Sequence, residues 1–268
     1  SLGCAVANLL VAADYYGLQP NVTYLPDSNR NDLAARISFT SSPTSDILYH
    51  NNHAIFSIPK RVNNRSPYET RMPNSVFLQS IQSFASDHLR IDVVTDVARR
   101  TALADVALSA GEAAMDNSAF RKELSKYVKS NTTKSCVGMP CFGMGIPTPV
   151  SFFAPTMIRW FNMNRLNRKK DEQLLKKETP VFVVIGTHDD DKSDWLQSGE
   201  MYERIALLAA QSGLSTAVWA APIQIGSFYK EIQKILSVNL RPQMFFRIGY
   251  TDKVLSHSPR LPVKNAYL

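Results

Sequence analysis

Apolar positions recur at helical spacing in several long stretches of the chain, and short β-branched or aromatic runs lie between them. The clearest helical periods cover residues 2–16, 97–115 and 193–212. The near-continuous apolar run Pro180–Gly186 predicts a strand that is buried on both faces, and Gln243–Tyr250 predicts another strand. Because helices and strands intermix without regular βαβ alternation, the pattern predicts an α+β fold.

The remaining elements are shorter. Further helices are predicted over 46–58, 74–86, 118–129, 152–164, 169–177 and 227–236, and further strands over 22–25, 33–40, 91–95 and 217–219. We expect a helix break near residues 165–167, and Ser193 or Asp194 as the cap of the helix after the buried strand. Residues 131–149, which we call the lid segment, are rich in Gly, Pro and Thr. They predict a long loop, and such a loop in a compact protein is often a lid or a binding loop.

Part of the pattern repeats at a constant offset of 196 residues. Residues 2–26 align without gaps on residues 198–222, and each copy reads as an alanine-rich helix, a glycine, a short extended segment and a proline. Gly17 and Gly213 stand where the end of a helix prefers glycine. We interpret this order as an internal duplication.

The two copies differ in length. A similar strand follows in each, Ala35–Thr40 in the first and Phe246–Thr251 in the second. A long stretch of chain precedes the second helix, whereas almost nothing precedes the first. We therefore expect residues 1–54 to be the remnant of a first copy that has lost its beginning, so that Ser1 is not the natural start. Residues 55–268 would then form a near-complete second copy.

Composition and charge argue against several classes of protein: disordered, membrane-spanning and nucleic-acid-binding. With 44% hydrophobic and 20% charged residues the chain is globular. No apolar run approaches the ~20 residues that cross a bilayer, and no signal peptide is present, so we expect a cytoplasmic protein without a membrane partner. The net charge is +7, but the longest basic cluster, Arg165–Lys170, is followed at once by acidic residues. This cluster indicates a solvated helix face rather than a nucleic-acid site, and the positive charge equally suits an anionic cofactor or substrate.

Neither the cysteines nor the histidines form a metal-binding pattern. Three cysteines are too few for a disulfide framework, and four residues separate Cys136 from Cys141. His188 precedes three aspartates, but successive residues on a turn diverge and no second histidine is close. The sequence therefore predicts no metal site, and a loop after the buried strand that caps the next helix.

Several segments follow one another in a suggestive order. They are Ile58–Arg65, Met72–Pro73 with the helix that follows, Arg121–Leu124 with Gly138–Pro140, Pro180–Thr187 with Trp195–Glu200, and Ser258–Pro262. Together they resemble the nitroreductase superfamily, in particular its duplicated, dimer-mimicking branch of Acg-like FMN-binding proteins known from actinobacteria. The resemblance implies an antiparallel or mixed sheet surrounded by helices. Two departures are the missing Pro-Ser-x-x-Asn-x-Gln-Pro-Trp segment of the family, and Ser258, where the family often has lysine.

The resemblance also assigns residues to the phosphate end of FMN. Arg61, Asn63 and Arg65 would hold the phosphate and the ribityl chain, and Arg260 would be the third cation. Arginine suits a phosphate because its guanidinium offers two parallel donors. The alternative is that these are ordinary surface arginines.

At the ring end, the family uses backbone N–H groups of the segment after the central helix. In this chain the segment includes Trp219, Ala220 and Ala221. Such donors tune the electron density that the reduced ring gains near its N5 and O4 edge. Trp219 would stack on the ring or cover it; the alternative is a half-buried strand aromatic.

The resemblance implies an FMN oxidoreductase that takes a hydride from NAD(P)H and passes electrons to a nitro compound, a quinone or another small acceptor. No side chain is a convincing acid or base, so the catalytic residues are unknown. One alternative is a protein that binds or sequesters FMN under the lid segment without turnover, and another is a flavin-free remnant. A duplicated chain would act as a monomeric pseudo-dimer, and a homodimer is the alternative.

Overall fold

The computed structural model describes residues 1–30, 32–40, 53–162, 164–262 and 264, without the side chains of 164–167. The helices are α1 (Leu2–Tyr15), α2 (Ser75–Gln82), α3 (Val97–Asp116), α4 (Ser118–Tyr127), α5 (Thr148–Ser151), α6 (Ala154–Trp160), α7 (Asn164–Lys176), α8 (Lys192–Gln211), α9 (Ala221–Gln224) and α10 (Phe228–Leu236). The strands are β1 (Gln19–Tyr24), β2 (Ala35–Thr40), β3 (Leu89–Val94), β4 (Val128–Lys129), β5 (Met139–Pro140), β6 (Val181–Thr187), β7 (Ser215–Val218) and β8 (Arg241–Gly249). Short 3₁₀ helices cover Ala54–Ser57 and Cys141–Met144.

The centre of the fold is a four-stranded antiparallel sheet in the order β3-β6-β8-β7. All seven residues of β6 are buried, as its apolar run predicts. Alternate residues of a strand face opposite sides of a sheet. Accordingly Val183 and Ile185 pack with α2 and α8 on one face, whereas Phe182 and Val184 pack with α3, α9 and α10 on the other. The α+β prediction is confirmed.

Helices α1 and α8 cross at a point where each helix carries a glycine, Gly3 in α1 and Gly199 in α8. The Cα of Gly3 lies 3.3 Å from the position that a Cβ on Gly199 would occupy. Small residues at a crossing let two backbones approach closely, so the alanine-rich pattern of both helices has its reason here. Val6, Ala7 and Leu10 on the same side of α1 are buried. This contact joins α1 to α8 and so to the side of the central sheet that α8 covers.

The two repeated segments have the same local geometry. Gly17 and Gly213, which follow α1 and α8, have φ of +67° and +70°, a conformation that glycine adopts without strain. In each copy, the backbone N–H of the residue after the glycine donates at 2.8 Å to the carbonyl five positions earlier. The following strand then pairs antiparallel with a later one, β1 with β2 and β7 with β8.

Some predicted boundaries are wrong. The helix predicted over 46–58 lies outside the described residues up to 52, and its end is the 3₁₀ helix Ala54–Ser57. The break expected at 165–167 is absent, because α7 has neither Gly nor Pro and runs through these residues. The cap of α8 is Asp191, whose carboxylate accepts from the N–H of Asp194 at 2.8 Å.

The lid segment is more ordered than a plain loop. It contains β5, a 3₁₀ helix and the first residues of α5, and β5 pairs in parallel with β4. The predicted helix 118–129 therefore ends at Tyr127, because residues 128–129 form β4. Cys141 is buried with Val128, Ala154 and Ile158 in a small separate core under the lid segment. Within the described part of the chain, no helix is both long and apolar enough to span a membrane.

Candidate functional site

Four of the predicted site residues line one cavity of about 260 Å³, which we call the first cavity. They are Arg61, Asn63, Arg65 and Arg260. The lid segment contributes Gly138 to Pro140, Phe142 and Gly143, and the C-terminal tail (residues 251–262) contributes Leu255 to Ser258. The structure thus brings together three parts of the chain that are far apart in sequence.

Residues 61–65, the arginine segment, run beside the edge strand β7. The N–H of Asn64 donates to the carbonyl of Thr216 at 2.9 Å. The side-chain oxygen of Asn63 accepts from the N–H of Val218 at 2.7 Å. The oxygen of Asn63 therefore serves the fold, and its amide nitrogen is the part of the side chain left for a ligand.

Asn64 is a structural residue that the sequence reasoning missed. It is almost fully buried, and its amide donates to the carbonyl of Lys253 at 2.8 Å. Its side-chain oxygen accepts from the N–H of Ser66, and its carbonyl accepts from the hydroxyl of Tyr68. Asn64 thus joins the arginine segment to the C-terminal tail. The sequence signal was the pattern Asn-x-Ser, since asparagine often bonds to the backbone two residues later.

Arg61 is paired with an acid that the sequence did not reveal. Its Nε lies 2.8 Å from Oε1 of Glu203 on α8, whose side chain is fully buried. The two charges are in contact, although the N–H is not aligned as in a hydrogen bond. Burial raises the pKa of Glu203, and Arg61, with Asn8 and Cys4 on α1, acts in the opposite direction.

Of the three arginines that line the first cavity, Arg65 has the fewest polar contacts within the described residues. Its side chain is half-buried, and within the described residues it forms neither a hydrogen bond nor an ion pair. Burial lowers its pKa, the hydroxyls of Tyr202 and Tyr68 act in the opposite direction, and Arg247 is a further cation close to it. A desolvated guanidinium without a carboxylate favours the binding of an anion.

Arg260 lies on the exposed C-terminal tail. Its Nη1 donates to the hydroxyl of Ser258 at 2.7 Å, and its carbonyl accepts from the thiol of Cys136 at 3.2 Å. The tail is therefore held against the lid segment. Ser258, which replaces the lysine frequent in the resembled family, supports Arg260 here.

The structure does not bring the other three predicted residues to the first cavity. Trp219, Ala220 and Ala221 are not among its lining residues. Trp219 is half-buried against the core beside α9 and α10, and its backbone N–H donates to the carbonyl of Phe245 at 2.9 Å. Ala220 and Ala221 begin α9, and within the described residues their N–H groups donate no hydrogen bond.

The predicted loop at His188 has a structural role. An imidazole nitrogen of His188 lies 3.1 Å from the carbonyl of Asp87, and Asp191 caps α8. In the described part of the chain, no group of three His, Cys, Asp or Glu side chains is arranged to hold a metal ion.

The lid segment is fastened at both ends. The amide of Asn131 donates to the carbonyl of Ile146 at 3.0 Å and to the hydroxyl of Thr148 at 3.2 Å. Its backbone N–H donates to the hydroxyl of Ser151 at 3.0 Å. These bonds close the segment into a loop whose middle, around Phe142, lines the first cavity.

No family model matches the chain. The uncharacterized protein Rv3127 of Mycobacterium tuberculosis strain H37Rv is 22% identical over 276 aligned positions, which cover 98% of this chain and 75% of that protein.

Two solved structures share the fold. The FMN-dependent nitroreductase NfnB from Mycobacterium smegmatis, in complex with NADPH, gives a TM-score of 0.52 at 14% identity and covers 79% of this chain and 95% of its own. The FMN and NADPH-dependent nitroreductase NfnB from Sphigopyxis sp. strain HMH gives 0.50 at 16% identity, with 80% and 97% covered. At such identities the likeness shows the fold, which is nitroreductase-like as expected.

Proposed function

We propose that this chain binds FMN in the first cavity and uses it to carry electrons from NAD(P)H to a small acceptor such as a nitro compound or a quinone. The observation that carries the proposal is Arg65, a desolvated cation without an acid partner, in one cavity with Arg61 and Arg260. The nitroreductase-like fold supports it.

The residues of the first cavity fit the phosphate end of FMN. A phosphomonoester carries roughly −1.5 to −2 charges at pH 7, and arginine binds it with paired donors. Glu203 compensates Arg61, so Arg65 and Arg260 supply the uncompensated charge. The volume of about 260 Å³ suits part of the cofactor, since whole-ligand sites usually measure about 300–1,000 Å³. A second cavity adjoins the first and shares Arg65 with it.

The chemistry would divide between cofactor and protein. FMN, when bound, supplies the redox chemistry, and the protein supplies binding, orientation and exclusion of water. Arg65 and Arg260 would bind the phosphate, and the amide nitrogen of Asn63 would donate to the polar chain of the cofactor. The lid segment around Phe142 would exclude water from it.

The test of the proposal is Arg65→Met. We expect FMN to bind about 10- to 100-fold more weakly, because charge-assisted hydrogen bonds contribute roughly 1.5–3 kcal/mol. Riboflavin lacks the phosphate, so its affinity should change by less than about twofold. Quenching of flavin fluorescence measures both. Arg30→Met is the control, since Arg30 is exposed and is not a lining residue of the first cavity. Equal losses for FMN and riboflavin would contradict a phosphate role.

The fastened lid segment favours a second function, in which FMN is held without turnover. The segment lies on the first cavity together with the C-terminal tail, and a covered flavin reacts slowly with external reductants. Deleting the whole segment would also expose the small core around Cys141. Loosening it at Asn131 is therefore the sharper experiment.

We expect Asn131→Ala to accelerate the reduction of bound flavin by NADPH several-fold, because the loop loses two side-chain hydrogen bonds. Stopped-flow absorbance measures the rate. Ser135→Ala is the control, because it removes an exposed hydrogen bond within the segment and leaves the bonds of Asn131 intact. Rapid reduction of the wild type assigns an oxidoreductase, and slow reduction that Asn131→Ala accelerates assigns a binding protein. Unchanged kinetics would exclude the lid role.

We also propose that the chain is an internal duplication in which α1, β1 and β2 correspond to α8, β7 and β8. The identical geometry after both helices supports this. So does the crossing of the helices, where Gly3 meets Gly199, its equivalent at the offset of 196. Such a contact between equivalent residues is what a two-fold interface produces.

A further inference from the structure

A second cavity, of about 610 Å³, lies behind the arginine segment. It shares Arg65, Phe142, Gly143 and Leu255 with the first cavity. Its volume falls within the range of about 300–1,000 Å³ that is usual for ligand sites. The two cavities are thus neighbours on either side of one arginine.

The second cavity is rich in uncompensated positive charge. Lys169 and Lys170 of α7 and Lys253 of the C-terminal tail line it together with Arg65. Within the described residues, none of these four side chains has an ion pair with N···O of 4.0 Å or less. The acid on the wall is Glu178, whose carboxylate accepts from the amide of Gln173 at 2.7 Å.

A further cation stands directly behind the wall. Arg247 of β8 is 1% exposed, and its Nη2 donates to the carbonyl of Ser66, a lining residue, at 2.7 Å. Its guanidinium lies 4.1 Å from the ring centroid of Tyr68, and its Nε and Nη1 have no hydrogen-bond partner. Asp171 and Glu178 offset this charge at longer range.

The net charge of the residues on and directly behind the wall of the second cavity is therefore positive. With Arg65 assigned to the FMN phosphate, the three lysines on the wall still outnumber Glu178, and Arg247 adds positive charge against Asp171. Lysine ammonium groups on flexible stems bind a phosphate as point charges, while a partly desolvated arginine at the back strengthens the attraction.

We propose that the second cavity binds the phosphomonoester of a nucleotide and that, within the function proposed above, this group is the 2′-phosphate of NADPH. NADH lacks this phosphate and carries about two fewer negative charges. Lys169 and Lys170 therefore select NADPH over NADH. The inference rests on the proposed function, because it gives the reductant its place beside the flavin cavity.

The experiment measures nucleotide binding without turnover. Adenosine 2′,5′-bisphosphate, adenosine 5′-monophosphate and inorganic phosphate are titrated into the full chain by calorimetry. We expect the bisphosphate to bind about tenfold or more tightly than either of the others, and Lys169→Ala/Lys170→Ala to abolish the difference. Raised salt should weaken the bisphosphate more than the other two, because it carries the most negative charge. Lys177→Ala/Lys230→Ala removes the same charge from exposed positions that line neither cavity.

The outcomes separate this inference from the proposed function. FMN binding, followed by flavin fluorescence, should change by less than about twofold in the Lys169 and Lys170 variant, which also shows that the variant is folded. A wild type that binds FMN but not the bisphosphate overturns the inference and leaves the proposed function standing. Equal binding of inorganic phosphate and bisphosphate also overturns it, as does equal loss in the control variant. Failure to bind either FMN or the bisphosphate overturns both.

Discussion

Replacing Gly3 with alanine should lower the free energy of unfolding by about 3 kcal/mol, at the upper end of what overpacking costs. A Cβ at this position would lie 1.9 Å from the carbonyl oxygen of Leu196 and 2.6 Å from the backbone nitrogen of Glu200. Both are backbone atoms of α8, so no side-chain rotation can relieve the clash. Helices α1 and α8 must separate, although alanine itself favours a helix more than glycine does.

Urea unfolding followed by circular dichroism measures this effect. Gly143→Ala is the matched control, because a Cβ there meets no atom within 4 Å. We expect the control to change stability by less than about 1 kcal/mol. A neutral Gly3→Ala would mean that α1 does not cross α8 as closely as described, and the proposed duplication would lose the support of that crossing.

Arg61→Ala should destabilise the protein by about 3 kcal/mol at neutral pH, because it leaves a buried carboxylate without its cation. Glu203 is fully buried, whereas the side chain of Arg61 retains 23% of its exposure. The reverse substitution, Glu203→Gln, leaves a cation that water can still reach. We therefore expect Glu203→Gln to cost far less than Arg61→Ala, and the double variant to recover most of the loss.

The pH dependence of the free energy of unfolding tests the same pair, Arg61 and Glu203. Burial raises the pKa of Glu203 in the folded state above its ordinary value of 4.5, so the folded state holds this proton more tightly than the unfolded state. Its contribution to stability is therefore present below pH 4.5 and falls as the pH rises through the folded-state pKa. Arg61→Ala removes an influence that lowers this pKa, so its cost should grow across that window.

Unfolding free energies of the wild type, both single variants and the double variant, measured over a pH series, give the coupling between the two residues. Glu203→Gln should flatten the fall in stability above pH 4.5. If Arg61→Ala and Glu203→Gln cost the same and their effects add, the two groups do not interact. Arg61 would then count with Arg65 and Arg260 as an uncompensated cation of the first cavity.

The features that the sequence predicted well are those with a local cause. The buried strand β6 follows from its continuous apolar run, and the ends of α1 and α8 follow from the glycines after them. The cap of α8 was misplaced because four candidate capping residues stand within Asp190–Asp194, and which of them points at the helix end depends on neighbouring contacts. Asp190 instead accepts from the indole N–H of Trp195.

The features that the sequence could not predict depend on contacts between distant residues. The pairing of β4 with β5 and the partnership of Arg61 with Glu203 join segments that no periodicity connects. The resemblance did bring Arg61, Asn63, Arg65 and Arg260 together, and the structure places all four on one cavity. Their order along the chain alone could not show that Asn63 also anchors β7 through its side-chain oxygen.

The most direct test of FMN binding at Arg65 is the visible absorption spectrum of the protein after incubation with FMN and gel filtration. We expect flavin bands to be retained by the wild type and to be absent when Arg65→Met is treated in the same way. Riboflavin in place of FMN should be lost from the wild type during filtration. A colourless wild-type protein that also leaves the fluorescence of added FMN unchanged would contradict the proposed function.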